Sequence, residues 1–136
     1  MSVELKTNRH ASYNLQYHLV VITKYRNNVI NENIIKRLEE IVTKNLYSWE
    51  GQLLEFNGEA DHVHILFEIP PQVQPSKLVN NLKTVTSRLI RKEFTRRVEK
   101  FYWEGGFWAK SYCLVTTGGA SLETVKKYIQ NQENHK

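Results

Sequence analysis

The most constraining feature of this sequence is the order in which two apolar periodicities, of two residues and of about 3.6, succeed one another. Tyr13–Tyr25 (YNLQYHLVVITKY) is rich in β-branched and aromatic residues, alternates at first and turns solidly apolar at Leu19–Ile22, which predicts a central strand. Arg26–Asn28 reads as a turn, and Asn31 is placed to cap a helix. Behind it Ile34, Ile35, Leu38, Ile41, Val42 and Leu46 recur at helical spacing, and Gly51 closes the run. Gln52–Glu59 and Asp61–Ile69 (DHVHILFEI) predict two further strands, the second ended by Pro70-Pro71. Pro75-Ser76 opens a second helix with the stripe Leu78, Val79, Leu82, Val85, Leu89 and Ile90. Aromatic residues gathered around Gly105-Gly106 lead into a strand over Trp108–Thr116. Residues 117–120, with Gly118 and Gly119, predict a hinge, and Ser121 can cap a last helix over 121–133.

The order β-α-β-β-α-β-α predicts an α+β fold: a ferredoxin-like (split βαβ) antiparallel sheet with two helices on one face, plus a C-terminal helix. At 136 residues this is a single domain, 1–136, in which the polar stretch 1–12 is expected to be loosely ordered. No apolar run approaches the roughly 18 residues of a membrane span. The start, MSVELKTNRH, has no apolar signal core, and the single cysteine, Cys113, excludes an internal disulfide and a multi-cysteine zinc site. A cytoplasmic protein is expected.

The chain carries a formal charge of +5, and the excess is local. Residues 77–110 hold nine basic and three acidic side chains; the remainder is close to balanced. Concentrated positive charge attracts polyanions by counterion release, although the same pattern also describes a solvated helix face. Lys83, Arg88, Arg91 and Lys92 lie mostly off the apolar stripe and are the candidate residues for binding a polyanion. Phe101, Tyr102, Trp103, Phe107 and Trp108 can stack on unpaired bases or pack in the core.

Two histidines form His62-Val63-His64. On a strand, residues i and i+2 share a face, so two imidazoles stand side by side while Val63 joins the core. That is half of a metal site. Asp61, the only aspartate in the chain, precedes them and can orient a ligand from behind, or can serve as a turn residue. In the last helix Tyr128 and Gln132 are four residues apart and therefore on one face. The Gln132 carbonyl oxygen can complete a His-His-Gln set for Mg²⁺ or Mn²⁺, with the Tyr128 hydroxyl beside it; alternatively Tyr128 packs with Val125 and Ile129 as the edge of an amphipathic helix. A zinc hydrolase built on His-x-His needs a further ligand, and His10, His18 and His135 lie in contexts that do not suggest one.

The segments ASYNLQYHLVVITKYRNNVI, ADHVHILFEIPP, PSKLVNNLKTVTSRLIRKEF and FWAKSYCLVTTGGASLETVKKYIQNQ resemble, in that order, the single-tyrosine HUH transposases of the insertion-sequence-200 type, including their REP-associated relatives. The resemblance runs from about His10 to Gln132. It implies that His62, His64 and Gln132 bind a divalent metal, Mg²⁺ or Mn²⁺, and that Tyr128 attacks DNA. It further implies cleavage and rejoining of single-stranded insertion-sequence ends, with hairpins nearby, through a 5′-phosphotyrosine, in a homodimer whose tyrosine helix can complete the partner's site. The alternative of another class is a non-catalytic module that binds single strands or hairpins on the sheet.

Overall fold

The computed structural model describes residues 5–8, 11–116 and 122–132, and only the backbone of 122–125. Gly118, Gly119 and Ser121, the predicted hinge and cap, lie outside the described residues. In chain order the elements are β1 (Lys6–Thr7), β2 (Ser12–Tyr13), β3 (Gln16–Thr23), a 3-10 turn at Lys24–Arg26, α1 (Glu32–Ser48), β4 (Gln52–Gly58) and β5 (His62–Glu68). Then follow α2 (Pro75–Glu93), α3 (Thr95–Phe101), β6 (Trp108–Thr116) and α4 (Leu122–Gln130).

The main sheet has the order β4-β5-β3-β6, with every neighbouring pair antiparallel. This is the predicted split βαβ arrangement, with β3 and β5 inside and β4 and β6 at the edges. Asn31 caps α1 as expected, its side chain accepting from the Ile34 N–H. The predicted first strand is divided in two. Ser12–Tyr13 pairs with Lys6–Thr7 in a separate two-stranded ladder, and only Gln16–Thr23 joins the main sheet. After Thr23 the chain turns sharply, with Tyr25 and Arg26 both at positive φ, 60° and 55°. Such backbone costs about 1–3 kcal/mol per non-glycine residue, so its surroundings must impose it. Thr23 Oγ1 donates to the Asn27 carbonyl (2.8 Å), Lys24 Nζ donates to the Gly105 carbonyl (3.2 Å), and the buried Tyr102 hydroxyl donates to the Lys24 carbonyl.

The aromatic segment is therefore mostly structural. Tyr102 and Phe107 are buried, Phe101 and Trp108 are half-buried, and only Trp103 is exposed, at 79%. The short α3, absent from the sequence reading, continues the path of α2 after a break at Phe94.

Alternation assigns the two faces of the sheet. Leu19, Val21, Val63, Ile65 and Phe67 enter the main core with Leu38, Val42 and Leu46 of α1 and Leu78 and Leu82 of α2. Val20 and Ile22 point the other way, yet they are 0% and 1% exposed. Cys113 and Val115 of β6 and Tyr128 and Ile129 of α4 cover them in a second, smaller cluster. So α4 lies on the face opposite α1 and α2. Among the described residues, no helix is long and apolar enough to cross a membrane.

Candidate active site

His62 and His64 sit on the interior strand β5, on the face that α4 partly covers. Their ring centroids are 4.9 Å apart in an edge-on arrangement. The hairpin leading into them is well fixed. The Asp61 carbonyl accepts from the Thr23 N–H (2.9 Å) and from Thr23 Oγ1 (3.1 Å), and the Ala60 carbonyl accepts from the Ile30 N–H (3.0 Å).

Each imidazole is held at Nδ1. The Asp61 carboxylate lies 2.7 Å from His62 Nδ1 and also accepts from Arg26 Nε at 3.1 Å. Burial pushes the Asp61 carboxyl up, but the hydrogen bonds from His62 and Arg26 outweigh it and hold the group below its ordinary value. His64 Nδ1 lies 3.1 Å from His18 Nε2, contributed by β3. Burial, then the charges of His62 and His18, lower His64 to about 4, so its ring is neutral at pH 7. An Nδ1–H donated to a partner leaves Nε2 with a free lone pair, the form in which histidine binds metal. Among the described residues neither Nε2 has a hydrogen-bond partner. The pair thus fits half of a divalent-cation site. No third His, Cys, Asp or Glu among the described residues completes a cluster.

The expected third ligand is elsewhere. Ser111 on β6 is 3.2 Å from the Tyr128 hydroxyl and donates to Gln132 Oε1 at 3.4 Å. Strand β3 separates β6 from β5, so these groups are about 10 Å across the sheet from the histidines. The last helix, expected over 121–133, ends at Gln130, so Gln132 lies just past α4 rather than on it, and both its side chain and the Tyr128 hydroxyl meet Ser111 of β6. The open cleft of about 500 Å³ beside Asp61, His62 and His64 is lined instead by Lys126, Ile129 and Gln130 of α4. Tyr128 also packs on Val20 and Ile22, as an amphipathic helix edge would. Arg26 spans the two groups: Nε is on Asp61, and Nη1 donates to the Gln132 backbone carbonyl at 3.2 Å.

The four basic candidates divide. Lys83 donates to the Ala109 and Lys110 carbonyls (2.8 and 2.9 Å), and burial lowers its pKa. Arg91 donates to the Gly106 carbonyl at 2.6 Å. Arg88 and Lys92 are exposed on α2. Sequence reasoning did not find Arg26 or Ser111, and it set His18 aside. His18 shares the parity of Val20 and Ile22, which would have placed it on the histidine face; the turn read at Arg26–Asn28 begins at Lys24, and nothing in Lys-Tyr-Arg announces the left-handed backbone that aims Arg26.

These features define a class known from other proteins. Residues 11–132 match the family described as IS200-like transposases, and the chain belongs to that family. It is 29% identical over 135 residues to the ISDra2 transposase TnpA of Deinococcus radiodurans, covering 98% of this chain and 95% of that protein. It is 31% identical over 128 residues to the transposase for insertion sequence element IS200 of Salmonella typhimurium, covering 93% of this chain and 82% of that protein. A crystal structure of a candidate transposase from D. radiodurans superimposes with a TM-score of 0.84 at 29% identity, covering 96% of this chain and 99% of that one. The fold is also shared, at a TM-score of 0.51 and 8% identity, by a REP-associated tyrosine transposase solved with a REP hairpin, over 93% of this chain and 70% of that one. The chain is a transposase of the IS200 type, a class that cuts and transfers DNA.

Proposed function

We propose that this transposase cuts and rejoins single-stranded DNA through Tyr128. The Tyr128 oxygen bonds to the scissile phosphorus and the bond from phosphorus to the 3′ oxygen breaks. The departing oxygen takes up a proton and becomes a 3′-hydroxyl, the phenol proton passes to solvent, and the 5′ end stays on the protein as a phosphotyrosine. Attack by another strand's 3′-hydroxyl reverses the exchange and joins the new strands. One phosphodiester replaces another at each step, so no nucleotide hydrolysis is needed.

The observation that carries this reading is the imidazole pair of His62 and His64, backed at Nδ1 and free at Nε2, in a member of this family. These two atoms and the Gln132 amide oxygen would hold Mg²⁺ or Mn²⁺, which when bound stabilises the charge developing on the phosphate and the leaving oxygen. Asp61 keeps His62 oriented and balances its N–H. Because Gln132 faces Ser111 here, the reading requires α4 to re-seat on a histidine pair, its own or that of a second copy in a homodimer. Among the described residues, re-seating would exchange one small apolar cluster, the Ser111 contacts and the bond from Arg26 to Gln132. The proposed substrate is single-stranded DNA with hairpins near the element ends.

The test uses single strands covering the DNA that flanks the gene. With Mn²⁺ or Mg²⁺ the unmodified protein should cleave them and form a denaturation-resistant adduct, mapped to the peptide containing Tyr128. EDTA should abolish both. Tyr128→Phe should bind DNA but neither cut nor link. An adduct on another tyrosine, or cleavage by Tyr128→Phe, overturns the mechanism; tight hairpin binding with no cleavage under any metal condition favours the non-catalytic module.

A further inference from the structure

The two histidines of the candidate site have unlike supports. His62 rests on a carboxylate, which only accepts. His64 rests on another histidine, which can accept or donate. The direction of that one hydrogen bond decides whether His64 can bind a cation. If His64 Nδ1–H donates, its Nε2 is a lone pair facing the cleft. If His18 Nε2–H donates, the His64 proton sits on Nε2 and points where a cation would lie.

We propose that His18 is a positioning residue for the metal site: it accepts the Nδ1 proton of His64 and so holds Nε2 of His64 as the metal-binding atom. The inference rests on the reading of His62 and His64 as metal ligands and extends that site to β3. One further observation bears on the direction and a second on how firmly the pair is placed. Glu55 of β4 lines the same cavity, of about 300 Å³, as His18 and His64. If the His18 proton turns to the negative charge of Glu55 it sits on Nδ1, since Nε2 lies 3.1 Å from His64 Nδ1, and His18 Nε2 is then an acceptor. Both rings are also fixed by strand register rather than by loops. Val20 pairs with His64, and His18 lies two residues along β3 on the same face, its ring 5.2 Å from that of His64 between centroids. A hydrogen-bonded neighbour of this kind usually supports metal affinity by about 10- to 100-fold.

The experiment is long-range ¹⁵N–¹H NMR of the histidine side chains in the full, metal-free protein at neutral pH. His64 should show a protonated Nδ1 and an unprotonated Nε2. His18→Leu should shift His64 towards the opposite tautomer and weaken Mn²⁺ binding, read by calorimetry, by about 10- to 100-fold. His18→Gln, whose amide oxygen can accept the same proton, should restore most of both. A His64 protonated at Nε2 in the unmodified protein overturns the proposal, which therefore does not depend on whether His18→Leu folds. Equal Mn²⁺ affinity in the Leu and Gln variants also overturns it. Failure of the tautomer result leaves the Tyr128 adduct untouched, and failure of the adduct leaves the tautomer result standing, so the two readings fail separately.

Discussion

Acidification of the metal-free protein should reveal the cost of charging His64. In the folded chain this ring stays neutral until about pH 4, because burial and then its histidine neighbours disfavour the cation; its ordinary value is 6.5. The unfolded chain takes up the proton near 6.5, so folding loses stability as pH falls from about 6.5 towards 4, and the contribution is fully present above 6.5. At about 1.36 kcal/mol per pH unit the ceiling is about 3.4 kcal/mol. The ring is only half-buried, so solvent screening reduces the expected loss to roughly 1–2 kcal/mol. Asp61 does not confuse the measurement. Its pKa is held below the ordinary 3.8, so its stabilisation is present above that value and is lost only as pH falls further. Urea unfolding in EDTA at half-unit steps from pH 7 to 4.5 gives the curve, with His64→Gln as control. The unmodified protein should lose roughly 1–2 kcal/mol more than His64→Gln across this range. Parallel curves would refute the reasoning.

Gly51→Ala should cost about 1–3 kcal/mol by urea unfolding, because its Cβ would lie 2.8 Å from the Glu68 carbonyl oxygen and 3.1 Å from Ile69 Cγ2; unchanged stability would show that the β4–β5 end yields easily. Lys83→Met should cost about 1–3 kcal/mol through the two carbonyls it abandons. Arg88→Ala with Lys92→Ala should change stability by less than about 1 kcal/mol and lower the log–log salt slope of single-strand binding by about 1.4, two phosphate contacts' worth; an unchanged slope removes α2 from the DNA surface. Sedimentation at micromolar concentration should give twice the 16.1 kDa chain mass, and a monomer would confine any re-seating of α4 to its own chain.

Much of the fold was legible because its signals are local. Periodicity marked β3, β5, β6 and the two long helices, and the alternating directions of strand side chains put His62 and His64 together without any tertiary information. What escaped depends on contacts between distant segments. His18 meets His64 only through the register of β3 on β5. Tyr25 and Arg26 adopt left-handed backbone without glycine or asparagine, because Tyr102, Gly105 and Asn27 hold the turn from outside. Lys83 and Arg91 read as surface charge, but they are spent on backbone carbonyls around β6 and its approach. The seat of Gln132 is fixed by how α4 docks, which spacing along a helix cannot specify.

On the proposed reading, with Arg88 and Lys92 holding DNA, the division of the sheet into two faces sets a minimum length for the substrate. Arg88 and Lys92 point outward from α2, on the side opposite the histidine pair. From the plane of the sheet to the outer surface of such a helix is roughly 15 Å, about one layer spacing plus a helix radius. A strand held at both places must turn round an edge of the sheet. On one side that edge is β6, to which α2 is tied through Lys83 and through the Trp108 Nε1–Thr86 Oγ1 bond of 2.9 Å. An oligonucleotide too short for that detour can occupy the basic helix or the histidine cleft, but not both together.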